Sequence, residues 1–320
     1  MMNRLLITGL PYFSQQIAKR LSDLHWKVKV LDLAPVTSKL GKALTLAKEL
    51  LGADLWYQIG GSVGRNRIYK IAHLLNIPIV VHWVGTDVLT AVRFFKENPQ
   101  FLEVIIRRAT HWAGAPWLVE ELEEIKIRSQ FVPLPLDTVD IALSNDPPPL
   151  PDRFTVLSYL PDDRPQFYGS DYIVQLAREF QDVHFLIVGT KGKLITDKLP
   201  NVQFLGWVDN MYELYAKTTV VIRMTQHDGY GGTVQEALAT GRYAIWIYPF
   251  PGALQAKDYP SLCDHIRRLI NLHRKSLLRI NKRGRDYMKE HMNPKVLARY
   301  ISKNLRATIE EQAAGRRGSC

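Results

Sequence analysis

Short apolar runs rich in β-branched residues alternate with amphipathic stretches twice along this chain, on either side of a segment with four prolines in nine residues. This alternation limits the fold more than any composition figure does. Strands separated by helix-length segments pair in parallel through crossover connections, so the pattern predicts a mostly parallel, doubly wound α/β sheet in each half. In the first half the strands are read at 4–8, 27–33, 55–59, 79–83 and 111–113, with helices at 14–22, 38–51, 67–75, about 94–108 and 117–125. In the second half strands are read at 154–158, 184–188, 202–205, 219–223 and 243–247, with helices near 171–180 and 210–216.

The proline-rich stretch Ser144–Asp152 lacks the backbone donors of a helix or central strand, and reads as a stiff linker. The predicted organisation is a first domain over 1–145, a linker over 146–152 and a second domain over 153–292. A closing helix over 293–312 opens with Pro294 in its first turn, and a disordered tail covers 313–320.

No run approaches the roughly 20 apolar residues needed to span a bilayer. The opening Met1–Gly9 reads as a strand entering a turn, not as a secretion signal. The two cysteines, Cys263 and Cys320, form no disulfide framework and fit a reducing cytoplasm. The net charge of +11 makes anionic partners an open question. Much of the charge lies between Arg267 and Lys289, where Leu262, Ile266, Leu269, Ile270, Leu277 and Ile280 recur near helical spacing. Such a stretch either lies on an anionic membrane or is an outer helix with its stripe against a sheet. No RNA- or DNA-binding motif accompanies the charge, so nucleic acid is not expected as a partner.

The segment 228–241 carries the chemistry. Asp228 and Glu236 stand eight positions apart, with Gly229-Tyr230-Gly231-Gly232-Thr233 between them and strand-like runs on both sides. Strand, glycine loop, helix start and strand form an anion site at a helix N-terminus, and two carboxylates beside it accept sugar hydroxyls. Plainer readings stand alongside. Thr233 and Glu236 match a capping box, Gly231-Gly232 makes a tight turn, and Asp228 is a common turn residue. His227 and Asp228 have no further ligands at metal-binding spacing, so no metal is expected.

In the first half, His82-Trp83-Val84-Gly85-Thr86-Asp87 gathers polar residues at the end of an apolar strand, where open α/β sheets place ligands. A structural histidine and an Asp helix cap are the alternatives. Gly9 follows the first strand. Gly60, Gly61, Ser62 and Gly64 either line the same site or turn the chain.

The motif Asp228-Gly229-Tyr230-Gly231 followed by Glu236-Ala237-Leu238-Ala239-Thr240-Gly241 resembles the donor-binding signature of retaining GT-B glycosyltransferases, the glycogen-synthase-like and mannosyltransferase-like group. His82 to Asp87 is similar to the His-x-x-Gly-Ser/Thr-Asp stretch of many GT-B enzymes. The resemblance implies a GT-B fold, two Rossmann-like domains facing a central cleft. It also implies metal-independent transfer, with retention, from a nucleotide-diphosphate sugar to a sugar, polysaccharide or lipid-linked acceptor, with no further cofactor.

By the same resemblance Glu236 takes the ribose, and Arg164 and Arg223 the pyrophosphate with Gly231, Gly232 and Thr233. Asp228 takes the donor sugar with Gly229 and Tyr230, and Asp228 and His82 are the implied catalytic residues. His82, Gly85, Thr86, Asp87 and Gly9 complete the donor-sugar and acceptor side. The sequence departs from the family at two places. Asp228 stands where Glu is usual, and Tyr168 falls where a lysine is expected; Lys191, Lys193 and Arg223 are candidate substitutes. The same architecture serves sugar-nucleotide epimerases, and a subunit that binds a sugar nucleotide without turnover also fits.

Overall fold

The computed structural model describes residues 2–61, 68–98, 109–193 and 199–317. The chain divides into two compact units. Unit 1 comprises residues 1–136 with 294–320, and unit 2 comprises 137–293.

Unit 1 is built on a parallel sheet of β1 (Arg4–Gly9), β2 (Lys27–Leu31), β3 (Leu55–Ile59), β4 (Ile79–Trp83), β5 (Thr110–Ala113) and β6 (Gln130–Phe131). The strand order is β2-β1-β3-β4-β5-β6. The helices are α1 (Pro11–Ser22), α2 (Lys39–Leu50), α3 (Ile68–Leu74), α4 (Thr86–Glu97) and α5 (Pro116–Glu124). Strand β4 is buried along its whole length, its one polar residue, His82, included. Edge strand β2 exposes Lys27 and Lys29, which oppose further pairing. Helix α1 begins at Pro11, whose fixed φ suits a first turn, ahead of the expected start at Ser14. Helix α4 likewise begins at Thr86 instead of about Phe94; the rest of that predicted helix, and Ser62 and Gly64, lie outside the described residues.

Unit 2 starts with α6 (Asp137–Ser144) and is built on β7 (Thr155–Tyr159), β8 (His184–Val188), β9 (Val202–Gly206), β10 (Val220–Arg223), β11 (Tyr243–Trp246) and β12 (Leu254–Gln255). Their order, again all parallel, is β12-β11-β10-β7-β8-β9. Its further helices are α7 (Ser170–Glu179), α8 (Met211–Ala216), α9 (Gly232–Ala239), α10 (Tyr259–Arg274) and α11 (Lys282–His291).

The division between the units falls at Leu136/Asp137, ahead of the proline run. The run is pinned within unit 2. Arg242 donates to the carbonyls of Pro148 (2.6 Å) and Pro149 (3.0 Å), and Arg285 donates to Ala142, Asn145 and Ala239. Prolines keep their carbonyl acceptors, and the buried Arg242 guanidinium is matched to two of them, while buried Arg285 holds the chain just ahead of the run. The basic stretch after Tyr259 also differs from a single long helix. It breaks after Arg274, where Ser276 adopts a left-handed φ of 56°. Leu262, Ile266, Leu269 and Ile270 pack into the core of unit 2, as in an outer helix, whereas Leu277 of the same predicted stripe is exposed.

The closing helix α12 (Pro294–Arg317) belongs to unit 1 and continues through most of the segment read as a disordered tail. Ile301 and Leu305 join the core of Leu5, Trp26 and Tyr57, and the Trp26 indole donates to Ser302 Oγ at 2.8 Å. Among the described residues no helix is long and apolar enough to cross a membrane.

Candidate functional site

In unit 2 the loops after β7 and β10 and the start of α9 meet at the carboxyl edge of the sheet. Gly231 is the residue before α9, with φ 51°. A Cβ there would lie 2.8 Å from the Trp246 ring, so only glycine fits this turn. The backbone N–H groups of Gly232 and Thr233 open the helix, where an α-helix has no internal acceptors for them.

Arg223, the last residue of β10, grips Asp228 with two donors. Nη2 reaches Oδ1 at 2.7 Å and Nε bonds Oδ2, and both side chains are largely buried. Burial works against the guanidinium charge, but the adjacent Asp228 carboxylate holds its pKa above the ordinary value. The Arg223 guanidinium lies 5.5 Å from the Tyr168 ring centroid, and Arg164 lies 5.7 Å from the same ring and 5.2 Å from Phe167. Tyr168, at the place expected for a lysine, therefore gathers two arginines by cation–π contact instead of supplying a charge. Arg164 is about half exposed and 3.7 Å from Asp163. Gln226 N–H donates to the Phe167 carbonyl at 2.9 Å, which ties the two loops together. Gly229 is buried. The half-buried Tyr230 stacks near Phe250 and shares a side-chain hydrogen bond with Tyr287 of α11.

The capping box read from Thr233 and Glu236 does not form. No side chain caps α9, and Thr233 Oγ1 instead stands 3.5 Å from Arg223 Nη1. Glu236, the fifth residue of α9, is buried; Tyr215 Oη of α8 donates to its Oε2 at 2.5 Å and Thr138 of α6 bonds the carboxyl as well. Burial pushes its pKa up to about 7, against the opposing pull of those two hydroxyls and Arg223.

In unit 1 two of the expected residues are enclosed by protein groups. His82 is wholly enclosed in β4, with Nδ1 2.6 Å from Tyr57 Oη and Nε2 2.7 Å from the Val132 carbonyl oxygen. Burial lowers its pKa to about 4. Both ring nitrogens are occupied, and His82 packs among Tyr57 and Trp112 in the core of unit 1. Asp87 accepts from the backbone N–H groups of Gly61 (2.6 Å), Gly85 (2.7 Å) and Val84 (3.1 Å). It thus clamps the loops after β3 and β4 instead of presenting its carboxylate to a ligand; burial raises its pKa despite those bonds. Gly85 precedes α4, and Thr86 opens it. Gly9 has φ 109° and lies so close to β3 that a Cβ would stand 1.8 Å from the Ile59 oxygen. Among the described residues no group of three or more His, Cys, Asp or Glu side chains is arranged to hold a metal ion.

Residues 152–258, which contain β7 to β12 and the whole Asp228–Glu236 loop, match the family model for glycosyl transferases group 1. Over 90 residues the chain is 34% identical to the UDP-N-acetylglucosamine–N-acetylmuramyl-(pentapeptide) pyrophosphoryl-undecaprenol N-acetylglucosamine transferase of a Sulfurihydrogenibium species. That match covers 28% of this chain, which spans about a quarter (24%) of the length of that relative.

Similar folds extend over nearly the whole chain. The Anabaena protein HepE in complex with UDP-glucose aligns with a TM-score of 0.68 at 14% identity, over 95% of this chain and 99% of that one. A glycosyltransferase from Rickettsia africae aligns at 0.74 and 13% identity, over 96% and 99%. The sucrose-phosphate synthase of Thermosynechococcus elongatus aligns at 0.69 and 15%, over 97% and 100%. The architecture, two parallel α/β sheets with helices, is that of GT-B glycosyltransferases.

Of the residues expected from the sequence, this domain brings Arg164, Arg223, Asp228, Thr233 and Glu236 to one edge of one sheet. Sequence reasoning missed Tyr215 and Thr138, the two hydroxyls on Glu236. Neither lies in a motif, and α6, which carries Thr138, was read as the end of the preceding domain. The available signal was the helical spacing of Val139 and Ala142, both buried.

Proposed function

We propose that the chain transfers a glycosyl group from a nucleotide-diphosphate sugar, with UDP-sugars the first donors to test, to the hydroxyl of a sugar, polysaccharide or lipid-linked acceptor. The observation that carries this reading is the glycine-started helix α9 at the carboxyl edge of a parallel sheet, with a buried carboxylate behind it, inside the segment that matches the family model. Helix starts favour anions, and a carboxylate beside one accepts ribose hydroxyls. The names of the relatives agree with that donor class, since UDP-N-acetylglucosamine and UDP-glucose both appear among them.

Ionised Glu236 accepts from the ribose hydroxyls, taking the place now filled in part by Tyr215. The N–H groups of Gly232 and Thr233, together with Arg164, meet the pyrophosphate as it gains charge. Asp228 orients sugar hydroxyls, held in place by Arg223. The bond from the anomeric carbon to phosphate oxygen breaks and the bond to the acceptor oxygen forms. The acceptor proton passes to the leaving phosphate on the same face, which gives retention without a metal ion or further cofactor.

One observation favours a second reading, a protein that binds the sugar nucleotide without turnover. The cation at the heart of the site, Arg223, is already neutralised by Asp228, and Tyr168 adds no charge. A thermal-shift panel of UDP, GDP, ADP and dTDP should single out one base, with about 2.7 kcal/mol of stabilisation at a hundred times its dissociation constant. Proton NMR of the matching sugar nucleotide with acceptor should then show the product with the donor's anomeric configuration. Binding without product establishes the second reading, and an inverted product overturns retention.

A further inference from the structure

The turn after β7 builds an aromatic platform beneath a cation. Pro165, with its fixed φ, opens a tight turn over Gln166–Tyr168, closed by the Tyr168 N–H on the Pro165 carbonyl at 3.0 Å. Gly169 ends the turn, so close to the end of β10 that a Cβ would stand 2.4 Å from the Met224 oxygen. Tyr168 is thereby wedged against the core of unit 2, with the Tyr159 ring edge-on at 5.7 Å. The rings of Tyr168 and Phe167 lie 5.7 and 5.2 Å from the Arg164 guanidinium. Arg223 reaches the same Tyr168 ring at 5.5 Å and brings Nη1 to 3.5 Å from Thr233 Oγ1, in the first turn of α9. One ring thus connects Arg164 to the helix start.

The two arginines differ in what meets their charge. Arg223 is held by Asp228 in a buried two-donor pair. Arg164 is half exposed, and its ion pair is with the exposed Asp163 at 3.7 Å, a contact that water screens. A guanidinium over a ring is held by its face, so the N–H donors along its edge stay available for phosphate oxygens. A long side chain that is already held also loses less freedom when an anion arrives. A lysine at this position would be a mobile point charge, whereas the ring provides a fixed arginine. We propose that Tyr168 is a positioning residue for the donor's diphosphate: the face of its ring, together with Phe167, keeps Arg164 in place to meet the pyrophosphate at the start of α9. This deepens the proposed donor reading and rests on it.

The test is calorimetric titration of UDP and of UMP into the full chain, with thermal melts as the control for folding. The wild type should bind UDP at least about tenfold more tightly than UMP, because the second phosphate adds charged hydrogen bonds. Tyr168→Phe keeps the ring face and should bind both nucleotides within about twofold of the wild type. Tyr168→Leu and Tyr168→Met keep apolar bulk against the core but have no π face. Either one, with a wild-type melt, should lose about tenfold in UDP affinity and less than about twofold in UMP affinity. In the Arg164→Gln background the same substitutions should change UDP affinity by less than about twofold. Unchanged UDP affinity in Tyr168→Leu and Tyr168→Met, a loss shared equally by UMP, or the same loss in the Arg164→Gln background would overturn the role of the ring and leave the donor reading standing. A loss in Tyr168→Phe as large as in the leucine variant would overturn it too, by moving the effect to the hydroxyl. No binding of UDP by the wild type would overturn both readings.

Discussion

Two buried titratable side chains, one in each unit, respond to pH in opposite directions. Glu236 has its folded pKa raised from 4.5 to about 7, so the native state keeps a proton that the unfolded chain releases. Its contribution to stability is full below the unfolded value and is lost as pH rises through about 7, a change on the order of 3 kcal/mol. Glu236→Gln should therefore stabilise unit 2 relative to wild type at pH 8 and little at pH 5, as read by thermal melts at both pH values. Ribose recognition needs the ionised form, so nucleotide affinity should rise about tenfold between pH 6 and pH 8 in the wild type and stay flat in the variant. His82 has its folded pKa lowered from 6.5 to about 4. Its contribution is full above pH 6.5 and is lost as pH falls toward 4, again on the order of 3 kcal/mol. His82→Ala should weaken unit 1 without changing nucleotide affinity in unit 2; a loss of binding with unit 2 intact would return His82 to the site.

At the scale of elements, the start of α9 is a constrained turn beside the candidate site. Gly231→Ala introduces a Cβ against Trp246 at a positive φ. Strain of about 1–3 kcal/mol is expected, together with loss of the N–H pair that meets phosphate. Melting and nucleotide titration of this variant should fall together, and unchanged binding would detach the helix start from the site. The helix and its glycines were legible in the sequence because glycine spacing is a local signal. The partners of Glu236 were not, because Tyr215 and Thr138 reach it from α8 and α6, which only the tertiary fold brings near. For the same reason His82 and Asp87 looked like ligands. Their positions at the end of a strand were read correctly, but the Tyr57, Val132 and Gly61 groups that occupy them come from other loops and strands. Parallel strands such as β4 were plain from their apolar runs, whereas the two-residue edge strands β6 and β12 leave no periodicity to read.

At the scale of the whole molecule, the chain order and the unit order differ. Unit 1 is completed by the last helix, α12, whose Ile301, Ser302 and Leu305 complete the packing around Trp26. Truncation after Asn293 should abolish the unfolding transition of unit 1 by exposing that core, while unit 2, continuous over 137–293, should still respond to nucleotide. A truncated chain with both transitions unchanged would contradict this division. Two arginines of the basic stretch are paired, Arg267 with Glu179 and Arg274 with Asp182. Of the basic stretch, Leu262, Ile266, Leu269 and Ile270 are seated in the core of unit 2.

The central claim is that unit 2 holds a nucleotide-diphosphate sugar through Glu236. Calorimetric titration of UDP into the wild type and into Glu236→Gln at pH 8 tests it most directly. The account predicts saturable binding to the wild type that is at least about tenfold weaker in the variant, the loss of a charged hydrogen bond being worth about 1.5–3 kcal/mol. Equal affinity in the two proteins would contradict it.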